Sequence, residues 1–169
     1  MGFAPLESSA ATAQLCIDLA RLLAADGKFN VGLLEASSSE FSVAGQLHLP
    51  MPADVSSPWL IAPRLWVAPR ESWWSQAGRQ PPTGQNLQRL RELTSEFDFS
   101  IVHCPPVSAL AMRVARCCDG LVLVLTANRT RRMVATQVKD YLHNAAIPLL
   151  GAVLAERHFP VPDGLYRKL

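Results

Sequence analysis

Short apolar runs alternate with helical stripes along this chain, and that alternation restricts its fold more than any other feature. The runs are VGLLEA (31–36), FSIVHC (99–104), GLVLVLTA (120–127) and IPLLGAVLA (147–155), with RLWVAP (64–69) as a further strand. Runs that stay apolar without alternating suit strands buried on both faces of a parallel sheet. Between them, apolar residues recur at helical spacing: Leu15, Leu19, Leu22 and Leu23; Leu87, Leu90, Leu93 and Phe97; Val107, Leu110, Ala111, Val114, Ala115 and Cys118; Val134, Val138, Tyr141, Leu142 and Ala145. Strands alternating with helices through short connections imply βαβ units, so the expected fold is α/β: a three-layer sandwich with a mostly parallel sheet flanked by helices. Residues 37–82 break the pattern into serines, prolines and four tryptophans, with RLWVAP as the one strand expected there.

A chain of 169 residues suits one domain, here residues 1–169. No apolar run approaches the roughly 18 residues that a spanning helix needs, and MGFAPLESSA lacks the basic and apolar segments of a secretory signal. The expected location is cytoplasmic. Cys16, Cys104, Cys117 and Cys118 lie in apolar segments and read as buried thiols. The formal charge is +2, and Arg129, Arg131 and Arg132 in NRTRR concentrate some of it without interleaved aromatics. They read as a solvated helix start with anion contact as the second reading, and no nucleic-acid partner is expected. Ligands of parallel α/β sheets sit at the carboxyl ends of strands, which carry Glu35, His103 with Cys104, Thr126 and Ala155.

FDFSIVHCPPV (97–107) resembles the Y-D-Y-V-I-I-D-T-P-P-V segment of bacterial tyrosine kinases of capsule and exopolysaccharide biosynthesis, relatives of the septum-site and partitioning P-loop ATPases. ARCCDGLVLVLTANRTRR (115–132) is similar to that family's A-D-G-V-L-L-V-V-R, and IPLLGAVLAERH (147–158) to V-L-G-V-V-L-N. The resemblance implies a P-loop NTPase-like domain whose first strand is represented by the short MGFA; the sequence does not fix whether Met1 is the native start.

Family motifs are departed from at nearly every catalytic position. A phosphate-binding loop needs glycines, a lysine and a Ser or Thr hydroxyl for magnesium. In APLESSAATAQLCIDLA (4–20) the resemblance places Ser9 and Ala11 at glycines, Thr12 at the lysine and Ala13 at the hydroxyl. It places Glu35 and Ser37 at the two aspartates of I-D-A-D, His103 at the remaining metal-organising aspartate, and Ala155 at an adenine-recognising asparagine. Imidazole is a poor partner for magnesium, which prefers oxygen. The expectation is a degenerate nucleotide site with no catalytic residues, no cofactor and no metal. ATP with magnesium, organised by Glu35, is the alternative.

The resemblance also implies a tyrosine-rich tail, and no such tail is expected here, where the tyrosines of these 169 residues are Tyr141, on an apparent core face, and Tyr166. A zinc site from His103, Cys104 and Cys117 or Cys118 lacks a fourth ligand and is set below ordinary strand-end packing. Cys104 as a nucleophile has no second histidine placed beside it, and its expected surroundings are apolar. Ser8, Ser9 and Thr12 at a helix start could hold an anion through backbone donors. Trp73 and Trp74 either pack in the core, plug the emptied pocket or anchor an interface. The expected function is therefore that of a pseudokinase-like regulatory or scaffolding partner in exopolysaccharide assembly or export. Its expected partner is a protein, a membrane-bound polysaccharide chain-length regulator, with homo-oligomers open. An active ATP-dependent tyrosine kinase and a partitioning-type ATPase are the alternatives.

Overall fold

The computed structural model describes residues 1–7, 9–37, 41–49, 57–74 and 81–156. Seven strands form one sheet: β1 (Gly2–Pro5), β2 (Val31–Glu35), β3 (Trp59–Ala62), β4 (Leu65–Ala68), β5 (Phe99–His103), β6 (Leu121–Thr126) and β7 (Leu149–Ala155). Their order is β3-β4-β2-β5-β1-β6-β7. Every pairing is parallel except that of the edge strand β3 with β4. The expected mostly parallel three-layer α/β sandwich is therefore present, and the short β1, GFAP, is an interior strand buried throughout between β5 and β6.

Helices α1 (Ala10–Ala25) and the short α2 (Val43–Gln46) pack on one face of the sheet, over Phe3, Leu33, Ile101 and Val124. On the other face, α3 (Gly84–Ser95), α4 (Ala109–Ala115) and α5 (Arg132–Asn144) cover Leu34, Val102, Leu121 and Leu123. Local chemistry explains the helix starts. Ser9, Ser42, Thr83 and Ser108 each accept a hydrogen bond from a first-turn backbone N–H, and Thr83 with Asn86 completes a capping box. Gly27, at φ 70°, follows the C-cap Asp26 of α1 and donates to the Ala24 carbonyl, the expected glycine stop. Gly32 in β2 meets a different need: a Cβ there would lie 2.3 Å from the Phe97 ring, which leans over the strand towards Trp66.

Three expectations need correction. The buried ridge of α1 is Thr12, Ala13, Cys16, Ile17, Ala20 and Ala24, whereas Leu15, Leu19 and Leu23 pack at its margin and Leu22 is 71% exposed. Small residues let the helix axis approach the sheet, so the largest side chains are displaced to the flanks. Tyr141 is half-exposed rather than in the core, because Leu142 is the residue of α5 that is wholly buried against the sheet. RLWVAP is not alone in its segment, since WLIA forms β3 as an antiparallel edge strand.

Candidate functional site

The carboxyl ends of β2 and β5 are adjacent in the sheet, with Glu35 opposite His103 in the parallel register. Both side chains are buried, at 5% and 2% exposure. His103 Nδ1 lies 2.8 Å from Glu35 Oε1. The same oxygen accepts the Ser37 backbone N–H at 2.9 Å, and Oε2 accepts that of Val43 at 2.6 Å. Three donors thus converge on one carboxylate, which fixes its role as acceptor and puts the imidazole proton on Nδ1. The Val43 contact places the carboxylate at the start of α2, so Glu35 ties the strand end to the next helix. Trp73 closes the cluster: its Nε1–H donates to the Glu35 carbonyl at 2.9 Å.

Trp73 and Trp74 are 2% and 6% exposed and pack against each other, with ring centroids 5.6 Å apart. They are core residues and offer no surface anchor. The Arg70 guanidinium lies 5.9 Å from the Trp74 ring, and Asn86 Nδ2 donates to the Trp73 carbonyl. Ser37 is buried beside Glu35.

At the loop after β1, the helix start differs from the expected cradle. Ser9 is the N-cap of α1, accepting from the Ala11 N–H at 3.1 Å, and its hydroxyl donates to Glu156 Oε1 at 3.0 Å. Thr12 and Ala13 are fully buried on the side of α1 that also carries Cys16 and Ile17, and Thr12 Oγ1 has no hydrogen-bond partner. Ala155 ends β7 directly before Glu156. Glu7 pairs with Arg129 at 3.5 Å across the same end of the sheet. Two carboxylates, Glu7 and Glu156, therefore stand near the α1 N-terminus, where the helix dipole would favour a phosphate. From Met1 to Ala20 the chain contains no lysine or arginine at all, so the missing cation does not depend on how the loop is registered.

Arg129, Arg131 and Arg132 are exposed at the start of α5, and Arg131 occupies its N-cap without a side-chain cap. A cleft of about 480 Å³ runs between them and the β1 loop, with Leu6, Val107 and Val134 in its walls. Ser8 and Tyr166 fall outside the described residues.

The four thiols are free. Burial pushes Cys16 and Cys104 well above the ordinary thiol range and Cys118 up to about 11; half-buried Cys117 is raised as well, for the same reason. Thiols that stay protonated at neutral pH are poor nucleophiles. Among the described residues no three His, Cys, Asp or Glu side chains are grouped to hold a metal ion, and no helix is long and apolar enough to cross a membrane.

Sequence reasoning named Glu35 and His103 separately, and the structure joins them. It missed Trp73 as a donor to Glu35 and missed Glu7 and Glu156 entirely. The Glu35–His103 contact was within reach of the strand order, since both residues end neighbouring strands. The links of Glu156 and Glu7 depend on loop conformations that no local pattern encodes.

Sheet order and flanking layers give the chain a P-loop NTPase-like fold. The fold matches the kinase domain of Escherichia coli tyrosine kinase ETK with a TM-score of 0.70 over 95% of this chain and 70% of that one, at 15% identity. It matches the VpsO kinase domain with a TM-score of 0.69 over 93% and 84% of the two chains, at 14% identity. A plasmid partition protein from Borrelia burgdorferi matches with a TM-score of 0.69 over 99% and 84%, at 13% identity. These likenesses establish the fold. In sequence, the chain is 29% identical over 101 residues to the tyrosine-protein kinase CpsD of Streptococcus agalactiae, covering 54% of this chain and 41% of that protein. No family model matches the chain. The chain is thus similar to a bacterial tyrosine-protein kinase over about half of its own length, and that match spans about two fifths of the length of the curated relative.

Proposed function

We propose that the chain is a catalytically degenerate relative of the capsule-type tyrosine kinases, acting as a regulatory or scaffolding partner in exopolysaccharide assembly or export. The observation that carries this reading is the Glu35 carboxylate. Both its oxygens are committed to backbone N–H groups and to His103 in a buried cluster. Freeing it to organise a hydrated magnesium ion would leave the Ser37 and Val43 N–H groups and the His103 ring without their acceptor, each at a cost of about 1–3 kcal/mol. The residues present do not suit magnesium nucleotide: the β1 loop and the first half of α1 carry no cation for the phosphates, the nearby Arg129 is paired with Glu7, and Glu156 adds negative charge beside the α1 N-cap. Phosphoryl transfer depends chiefly on stabilising that charge. The protein partner proposed is a membrane-bound polysaccharide chain-length regulator, by analogy with the family; no cofactor is required. Membrane association would come through that partner.

Calorimetric titration of the chain with ATP and with ADP in the presence of magnesium tests the reading. No heat of binding is expected up to millimolar nucleotide. Micromolar affinity would sink it and favour the second reading, an ATP-dependent tyrosine kinase with altered motif residues. Thr12→Lys alone is not expected to create binding, because position 12 is fully buried.

A further inference from the structure

We propose that the outer edge of β7 is a self-association surface, pairing antiparallel with β7 of a second copy across a two-fold axis at Val153. The two edges of the sheet are built differently. β3 has four residues, an irregular register with β4, and flanking prolines Pro58 and Pro63 followed by Arg64, devices that discourage further pairing. β7 has seven residues and no charge or proline, and it is exposed along most of its length. Apart from one register irregularity near its start, it is flat in pattern, with residues 151–155 paired regularly to β6. A long, charge-free edge that no described residue pairs with on its outer side is a template for another strand.

Self-complementarity selects a second copy as that strand. With the axis at Val153, Ala152 of one chain faces Leu154 of the other, and Gly151 faces Ala155. Leu154, 51% exposed, then meets a small residue in both halves of the interface, and no like charges are opposed. Ala152 and Leu154 share the face of Leu123 and Leu125, so the new contact would continue the core beneath α5. The arrangement is isologous and closes as a dimer. It joins the two sheets and leaves the Glu35–His103 cluster untouched, so it stands or falls independently of nucleotide binding.

The test uses the whole chain. Light scattering across the micromolar range should give a dimer. Leu154→Lys should weaken it at least about tenfold, with the thermal melt of the monomer unchanged. A second variant fixes the register: Val153→Cys should cross-link to itself under oxidised glutathione, whereas Gly151→Cys and the wild-type chain should not. A wild-type monomer throughout the range would overturn the proposal. If hydrogen exchange then showed the outward β7 amides protected, another segment of the same chain would be the occupant. Unprotected amides would mean that a different protein fills the edge. A dimer that survives Leu154→Lys, with no Val153→Cys cross-link, would place the interface elsewhere and also overturn it.

Discussion

The strand ends of β2 and β5 and the outer strand β7 with α5 belong to one sheet, yet they solve opposite problems. At β2 and β5, buried polar groups are matched to one another: a carboxylate, an imidazole, two backbone N–H groups and an indole account for each other's hydrogen bonds. At β7 and α5, apolar groups are left in solvent, with Leu150, Leu154, Tyr141 and Met133 each more than half exposed. The difference teaches where specificity resides. The first region is closed chemistry, expensive to disturb and offering little to a ligand. The second is an open surface, cheap to change and suited to contacts.

The contrast is most severely broken by His103→Asp. That substitution sets a second carboxylate against Glu35 in a buried site, in place of a donor at 2.8 Å. Loss of about 3–5 kcal/mol of stability is expected at neutral pH, read by chemical denaturation, with no gain of ATP hydrolysis. Unchanged stability together with new magnesium binding would show that the site is still arranged for metal.

Alkaline pH probes the buried thiols beneath β1. Cys118 is raised to about 11 mainly by burial, with the chain's amino terminus partly opposing the rise. A raised folded-state value means that the unfolded chain loses the proton first. The contribution is therefore full below the unfolded thiol value of roughly 8.5 and is lost as pH climbs towards 11, by on the order of 2 kcal/mol. Cys118→Ala should flatten this alkaline decline in a pH series of denaturation curves.

Trp73→Phe keeps most of the ring packing but removes the bond to the Glu35 carbonyl, and should cost about 1 kcal/mol in the same assay. At the open surface the effect shrinks further. Met133→Lys on α5 should alter stability by less than about 0.5 kcal/mol, since the side chain is 67% exposed. A large loss there would dissolve the distinction between the two regions.

How much of this was legible in the sequence follows from what each pattern encodes. Continuous apolar runs mark strands buried on both faces, and β2, β5 and β6 were found for that reason. WLIA was not, because four residues between prolines carry too little pattern to separate an edge strand from a loop. The leucines of α1 misled because hydrophobic weight favours large residues, while close contact with a sheet selects Ala13, Cys16, Ala20 and Ala24. Tyr141 misled in the same way: a stripe identifies a face of α5 but not whether anything covers it. At the site, Glu35 and His103 were visible as strand-end residues. Their union was not, because 68 positions separate them and only the adjacency of β2 and β5 brings them together.

The central claim is that Glu35 and His103 satisfy each other and are not released by nucleotide. Nitrogen NMR of the His103 ring, recorded with and without saturating ATP and magnesium, tests it most directly. The account predicts a ring hydrogen-bonded through Nδ1, with shifts that nucleotide and magnesium leave unchanged. A ring that changes tautomer or loses its hydrogen bond when they are added would contradict it.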